Sequence, residues 1–580
     1  MTLTTTEHTF ESSDGTDLFY RSWMPKKAAT KALILFHRGH EHSARWQDVV
    51  ETLALPDVAI FAWDARGHGN SPGDRGDAES FGTLVKDVDT FVRHIAVEHG
   101  FEYADIIVLA HSVGSVLVST WIHDFAPPIR ALILGSPALR IRLYIPFSVP
   151  GLRLLYKVRG NFFISSYVKG RLLTHDRQKQ KSYDNDPLVT PNISVRILLG
   201  LHDAATRLIS DAGAITMPVL MLTSGADFVV KQSAQHRFFE GLRSRRKQRD
   251  TFPGFFHDTF NERDNHLPLD RARAFIQEAF SRDFEVEDLS EADKYGYTRE
   301  EYDRLRVPLS LLSIKGFGFA ATKVMMKTVG RLSEGIRVGW QTGFDSGTML
   351  DYVYRDEARG AGPIGRLIDR LFLDSPGWKG IRRRKVNLES HLDRAIKAVL
   401  AEDGDARIAD IATGHGRYVL DAIKNIEDKP VSALLRDYSD LNIEAGRALA
   451  AEMGLGNVTY EKADAFDRDS VASLANKPNI AIVSGLYELF PENKPIGESL
   501  KGLAQAVAPG GYLIYTNQPW HPQLEFIARV LSSHRGGDDW IMRRRTQQEM
   551  DQLVTAAGFG KLSMDIDEDG IFTVSTAQRL

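Results

Sequence analysis

Short apolar runs separated by helical sequence occur in this chain in two separate series, and that alternation restricts its fold more than any other feature. ALILFH (32–37), VAIFAWD (58–64), DIIVLA (105–110), RALILGS (130–136) and PVLMLTSG (218–225) read as buried strands, mostly followed by amphipathic helical sequence. Strands and helices in this order build βαβ units around a largely parallel sheet. A second series begins after Asp405, with RIADIA, VSALLRD, NVTYEKAD, NIAIVSG and GGYLIYTN. The fold class is therefore α/β with two sheets, since 580 residues exceed what one ordinary core holds.

Interruptions of the pattern suggest the boundaries. About eighty residues separate Ser136 from Pro218, too many for a single crossover helix. They predict an inserted cap at about 138–216 over the C-terminal ends of the strands, where open α/β sheets place ligands. DFEVEDLS (283–290) is acidic and polar and reads as a linker. The expected division is a first domain over 1–282, a linker and accessory helical region over 283–385, and a second domain over 386–580.

Composition removes several function classes. Lysine and arginine number 72 against 76 acidic residues, a net charge of −4, so no global positive field gathers nucleic acid and no nucleic-acid partner is expected. There is no cysteine, which excludes disulfides, thiolate metal sites and a cysteine nucleophile. Serine, histidine and carboxylates remain for covalent chemistry, and no metal is expected. The opening MTLTTTEHTFESSDG has neither a basic region nor an apolar core, and no apolar run is long enough to span a bilayer. A cytoplasmic location is the expectation.

The stretch VLAHSVGS (108–115) carries the first chemistry. A strand ending in A-H-S-V-G and entering an apolar helix fits a nucleophile elbow, where a tight turn lifts Ser112 into the open; Ala110 replaces the usual leading glycine. A serine hydroxyl needs a base, and the base needs an acid to hold its tautomer. Asp227 in SGADFVV and His257 in FPGFFHDTF follow in the order Ser, Asp, His. Singly, these three read as a helix cap, a second cap and a surface histidine; together they read as a triad. Val113 and Gly39, the latter in the loop FHRGHEHS, are the candidate oxyanion donors.

Residues 10–280 thus resemble the monoacylglycerol lipase and lysophospholipase family of serine α/β-hydrolases. The matching pieces are His37 with Glu41–Arg45, the segment DARGHGNS (64–71), the elbow, Ser224–Asp227 and the region of His257. The resemblance implies an α/β-hydrolase fold and a serine esterase acting on a monoacyl lipid or another acyl ester. One departure is Arg38, where the family usually has glycine. A side chain there either crowds the oxyanion loop or points outward to an anionic head group. The cap segment 139–164 interleaves apolar residues with Arg140, Arg142, Arg153, Lys157 and Arg159. That pattern suits an acyl chain beside a phosphate surface, with peripheral membrane contact. It equally suits amphipathic cap helices whose apolar faces pack on the core.

The second chemistry lies in DIATGHG (410–416), where glycines let a backbone approach a nucleoside at a helix start. The third glycine of the dinucleotide fingerprint is missing, which disfavours NAD. Asp437 ends the next strand, placed for ribose hydroxyls, and Asp464 ends the third, placed for an adenine amine. Residues 405–580 resemble class I methyltransferases dependent on S-adenosylmethionine, a Rossmann-like fold with seven strands. The resemblance puts Asp410, Gly414 and Gly416 in the glycine-rich motif, the ribose at Asp437 and the adenine at Asp464. Tyr487 and Glu488 in GLYELF lie on the acceptor side, with Asn517, Gln518 and Trp520 as a second possible wall.

Two basic stretches remain. VPLSLLSIKGFGFAATKVMMKTVGRL (307–332) interrupts apolar residues with Lys315, Lys323, Lys327 and Arg331, the composition of a helix on an anionic membrane or of one covering the second domain. The run Arg382–Lys385 reads as a solvated face. The whole chain reads as a bifunctional serine esterase and methyltransferase, and resembles bacterial proteins that join the two. The alternative is a methyltransferase whose hydrolase fold serves as a lipid-binding or scaffold module.

Overall fold

The computed structural model describes residues 4–426, 430–474 and 477–580. The chain divides into two compact units, Met1–Glu287 and Asp288–Leu580. Between Ser281 and Tyr297, where the acidic linker was expected, no helix or strand forms.

The first unit is built on an eight-stranded sheet. Its strands are β1 (Thr4–Glu11), β2 (Asp17–Met24), β3 (Ala32–Phe36), β4 (Ala59–Trp63), β5 (Ile106–His111), β6 (Ala131–Gly135), β9 (Val219–Ser224) and β10 (Lys247–Phe252). Their order is β1-β2-β4-β3-β5-β6-β9-β10. β2 runs antiparallel to β1 and β4, and every later pairing is parallel. Every residue of β3 to β6 and β9 is buried, because helices cover both faces. That is why these strands are written as continuous apolar runs rather than alternating ones.

Between β6 and β9, the stretch read as a cap, lie helices Ser148–Arg159, Arg177–Asp184 and Val195–Ser210 and a small antiparallel pair, β7 (Phe163–Ser165) with β8 (Asn192–Ser194). Helix Val195–Ser210 buries Leu198, Leu199, Leu201 and Leu208. Helix Ser148–Arg159 buries none of its residues and leaves Leu154, Leu155 and Val158 exposed. Packing of an apolar face onto the core therefore describes the last cap helix, while the first rests Val149 and Leu152, partly buried, beside it.

The second unit holds a seven-stranded sheet of β11 (Ala406–Asp410), β12 (Val431–Asp437), β13 (Val458–Lys462), β14 (Ile480–Val483), β15 (Tyr512–Asn517), β16 (Phe559–Ile566) and β17 (Thr573–Arg579). The order is β13-β12-β11-β14-β15-β17-β16, with β17 antiparallel to both neighbours. The chain reverses direction from β11 at the middle of this sheet, so the ends of β11, β12 and β14 form the crevice that such folds use for ligands. Five helices precede the sheet, Tyr297–Arg306, Ile314–Lys327, Glu334–Thr342, Gly347–Arg355 and Gly362–Leu373. A 27-residue helix, Pro376–Glu402, then runs unbroken across residue 385.

Candidate active sites

Ser112 sits between β5 and the helix Val113–Phe125 with φ of 53° and ψ of −111°. A residue other than glycine in that region stores on the order of 1–3 kcal/mol of strain and persists only when its surroundings hold it. Here its N–H donates to the Gly135 carbonyl at 2.8 Å and its carbonyl accepts from Ala138 N–H at 3.0 Å. Glycine at 114 is a steric requirement, since a Cβ there would lie 2.7 Å from the Phe36 carbonyl oxygen. Ala110 meets no such limit; it is fully buried, and its carbonyl accepts from the Ser115 hydroxyl at 2.8 Å.

The structure brings the three candidate catalytic side chains into one hydrogen-bonded chain. Ser112 Oγ lies 2.8 Å from His257 Nε2, and His257 Nδ1 lies 2.8 Å from Asp227 Oδ2. The other Asp227 oxygen accepts the N–H groups of Val229 and Val230 at 2.7 and 2.9 Å. Burial pushes the Asp227 carboxyl upward, but His257 and these two amides outweigh it and hold it below its ordinary range. With an anionic acceptor on Nδ1, the neutral ring carries its proton there and leaves Nε2 free to accept from the serine.

His111, which the sequence reading passed over as part of A-H-S, braces this chain. Its ring stacks on His257 with centroids 5.6 Å apart, and its Nε2–H donates to the His257 carbonyl at 3.2 Å. Burial lowers its pKa to about 4, so it stays neutral.

Gly39 and Val113 are neighbours in space, for a Cβ on Gly39 would lie 3.1 Å from Val113 Cγ2. His37 orients the first of them. Its Nε2 accepts from Ala65 N–H at 3.0 Å, so its Nδ1 carries the proton and donates to the Arg38 carbonyl at 2.7 Å. In a trans peptide the carbonyl and the next N–H point opposite ways, so this bond turns the Gly39 N–H away from His37.

Arg38 turns inward, and it lines the cavity in front of Ser112 beside Gly39. Its side chain is 2% exposed, donates to Glu41 at 2.8 Å, lies 3.7 Å from Asp258 and stacks over the Tyr183 ring at 4.6 Å. A buried guanidinium is tolerated only with partners, and these three occupy it. It does not point outward to a head group. The cavity in front of Ser112, ≈ 140 Å³, is lined by His257, Gly39 and apolar side chains that include Leu143, Ile164 and Leu198.

In the second unit, Asp410 ends β11 fully buried, with its carboxylate accepting from the Tyr418 hydroxyl. Burial lifts its pKa to about 7. Gly416 has φ of 76°, and a Cβ there would meet Leu435 at 2.7 Å, so this turn admits only glycine. Gly414 N–H donates to Asp437 Oδ2 at 2.9 Å, while Asp437 Oδ1 accepts from Ser439 N–H and the Asn442 amide at 2.9 and 3.0 Å. These bonds fill three of the roughly four acceptor positions of a carboxylate and leave one free. Ala463 N–H donates to the Asp437 carbonyl at 3.0 Å, bringing the ends of β12 and β13 together. The Asp464 carboxylate is exposed, accepts from Phe466 N–H at 2.9 Å, and makes no hydrogen bond to Asp437 or the glycine turn.

The acceptor-side candidates separate. Tyr487 lies in the core with its hydroxyl donating to Ser499 at 2.9 Å, so it forms no acceptor wall. Asn517 is occupied by the Arg545 carbonyl at 3.1 Å, and Trp520 packs against the hydrophobic cluster of the accessory helices. Glu488 and Gln518 line a cavity of ≈ 320 Å³. Arg384 lines it too, 2% exposed and paired with Glu488 at 3.1 Å, so the Arg382–Lys385 run is not a solvated face throughout.

Residues 272–579 match the family model described as "Putative methyltransferase", and residues 27–264 match the model described as "Serine aminopeptidase, S33". The Escherichia coli (strain K12) protein "Uncharacterized protein YnbC" is 48% identical over 578 residues, which cover 99% of this chain and 98% of that one. The monoacylglycerol lipase of Mycolicibacterium smegmatis is 26% identical over 278 residues, 47% of this chain and 97% of the lipase. The crystal structure of Paleococcus ferrophilus monoacylglycerol lipase superposes with a TM-score of 0.41 at 25% identity, over 45% of this chain and 99% of that one. The first of these models spans more than half of the 580 residues. The chain therefore belongs to that methyltransferase family and carries an S33-type α/β-hydrolase domain in its N-terminal half.

Proposed function

We propose that the chain is a bifunctional enzyme, an N-terminal serine esterase of monoacyl lipids joined to a methyltransferase that uses S-adenosylmethionine. The observation that carries the first half is the unbroken hydrogen-bonded chain from Ser112 through His257 to Asp227, facing an apolar cavity beside Gly39 and Val113. Ser112 attacks the ester carbonyl carbon while its proton passes to His257 Nε2. Asp227 stabilises the imidazolium, and the Gly39 and Val113 amides receive the charge that develops on the carbonyl oxygen. His257 then returns the proton to the leaving alcohol, and water releases the acid by the same route. The apolar walls take the acyl chain of a monoacylglycerol or lysophospholipid.

The exposed face of helix Ser148–Arg159 offers Leu154, Leu155 and Val158 to a lipid surface, with Lys157 and Arg159 for anionic head groups. No helix among the described residues is long and apolar enough to cross a membrane. We place the protein in the cytoplasm, with peripheral contact at the membrane surface.

For the second half, the residues fit the cofactor. Asp437 keeps one acceptor position beside Gly414, and the direction a Cβ would take from Gly414 meets only the Cα of Gly347, at 3.6 Å. Asp437 would hold the ribose, Gly414 and Gly416 the methionine end, and Asp464 the adenine. When bound, the sulfonium supplies an electrophilic methyl group. The protein's own task is to align an acceptor with it and exclude water.

A fluorophosphonate probe tests the esterase: labelling that disappears in Ser112→Ala supports it. Failure of the folded protein to label, or turnover of p-nitrophenyl acetate far above that of monoacylglycerol, overturns it. S-adenosylmethionine at a hundredfold excess over Kd should stabilise the second unit by roughly 2.7 kcal/mol. No thermal shift and no calorimetric heat overturn the cofactor reading.

A further inference from the structure

The ≈ 320 Å³ cavity of the second unit has an inner and an outer end. Gly485, Glu488 and Gln518, from the loops that follow β14 and β15, form the inner end, on the acceptor side of the crevice. The outer end is a mouth between two accessory helices. Met325 on Ile314–Lys327 and Leu371 on Gly362–Leu373 both line the cavity, yet they are 56% and 66% exposed. Phe317, Val324, Ile364 and Leu367 on the same helices are also exposed, so the approach is apolar outside as well as in.

Several polar side chains of the lining are already bonded, among them Asp345 to Ser533 and Arg384 to Glu488, but four polar atoms are unspent. Arg384 Nε, Gln518 Nε2, Trp540 Nε1 and Glu488 Oε2 are buried without a hydrogen-bond partner, and all four residues line it. A buried polar atom left unpaired costs about 1–3 kcal/mol, so four around one apolar space mark where a ligand's polar group goes. Three of the four are donors. A carboxylate, with about four acceptor positions, matches that excess. Arg384 supplies the charge, and its Glu488 partner is pushed upward by burial, which weakens repulsion of an anionic head.

We propose that this cavity binds a long-chain carboxylic acid as the methyl acceptor, its carboxylate at Arg384, Gln518 and Trp540 and its chain leaving between Met325 and Leu371. The inference rests on the methyltransferase reading of this unit. A carboxylate oxygen attacks the sulfonium methyl carbon; the O–C bond forms as the C–S bond breaks, with its electron pair staying on sulfur. The products are a methyl ester and S-adenosylhomocysteine. No proton moves, so the acceptor needs no base. The reaction class that supplies such an acid is carboxylic ester hydrolysis, the chemistry proposed for the first unit.

The test is titration of the full chain with cis-parinaric acid in the absence of S-adenosylmethionine, followed by displacement with palmitate or hexadecanol. Ile527→Trp fills the cavity wall, and Leu371→Glu places a charge at its exposed mouth, a position that tolerates substitution. Each should remove one equivalent of bound acid, leaving in place any held by the cavity of the first unit. Gln518→Leu should weaken palmitate about tenfold and leave hexadecanol unchanged. Retention of every equivalent in both cavity variants overturns the site, and hexadecanol displacing as well as palmitate overturns the head-group assignment. Tritiated S-adenosylmethionine with palmitate should yield base-labile radioactivity. Palmitate binding with a normal cofactor thermal shift but no such label overturns the acceptor role, whereas a missing thermal shift overturns the methyltransferase reading itself.

Discussion

Arg417 Nε donates to the Asp351 carboxylate at 2.6 Å, tying the accessory helix Gly347–Arg355 to the turn that follows β11. His415 Nδ1 lies 3.8 Å from the other Asp351 oxygen, and Gly347 closes over Gly414. Burial raises the Asp351 carboxyl, but nearby His415 and the hydrogen-bonded Arg417 outweigh it and hold it well below the ordinary range. The accessory region is thus a wall of the glycine turn, and residues 66 positions apart build it together.

Asp351→Asn keeps the shape of this clasp and removes its charge. Because Arg417 is partly exposed, the loss falls at the low end for a broken pair, about 1–2 kcal/mol, or roughly tenfold in affinity for S-adenosylmethionine. Calorimetry should show that loss while ester hydrolysis stays unchanged. An unaltered affinity would remove the clasp from the cofactor site.

Asp227→Asn can present an amide N–H to His257 Nδ1 and so favour the wrong tautomer. The expected result is a fall in kcat on the order of 10³–10⁴, with the fold and the cofactor thermal shift preserved. Steady-state kinetics beside circular dichroism would show it, and a loss below tenfold would argue against a triad.

Arg38→Met leaves Asp258 without its charge partner, although Glu41 keeps Arg45 at 2.7 Å. The first unit should lose about 2–3 kcal/mol in denaturant unfolding. The ratio of KM values for anionic and neutral monoacyl esters should not move, because Glu41, Asp258 and the Tyr183 ring already hold the guanidinium. A selective rise in KM for anionic esters would restore the head-group role.

His37 and His111 are buried and His68 is half-buried, and desolvation lowers each from 6.5 to about 4. Between those values the unfolded chain binds protons that the folded unit refuses, so the stability they contribute is present above about pH 6.5 and is lost as pH falls toward 4. Calorimetric scans from pH 7 to 4 should show the transition of the first unit moving to lower temperature. His68→Gln should flatten that slope, and a Tm independent of pH would contradict neutral buried rings.

What could be read directly from the chain follows from strand burial and from chemistry. β3 to β6 and β9 are covered on both faces and appear as unbroken apolar runs. Strands β1, TTTEHTFE, and β10, KQRDTF, close the two edges of that sheet and carry no such run, so the same reading passes over them. Ser112, Asp227 and His257 were legible as candidates because proton transfer admits few residue types and the fold offers them few strand ends.

The fate of the charged and apolar side chains between those landmarks was decided only in three dimensions. Arg38 and Arg384 look alike in sequence to any solvated arginine, yet both are buried, because Glu41 with Asp258, and Glu488, stand opposite them. Leu155 and Leu371 look like core residues and are exposed. Periodicity records what a residue can bury. Whether it does depends on the partner that a distant segment brings to its face, since the desolvation of a charge or the covering of a leucine is a property of both surfaces at once.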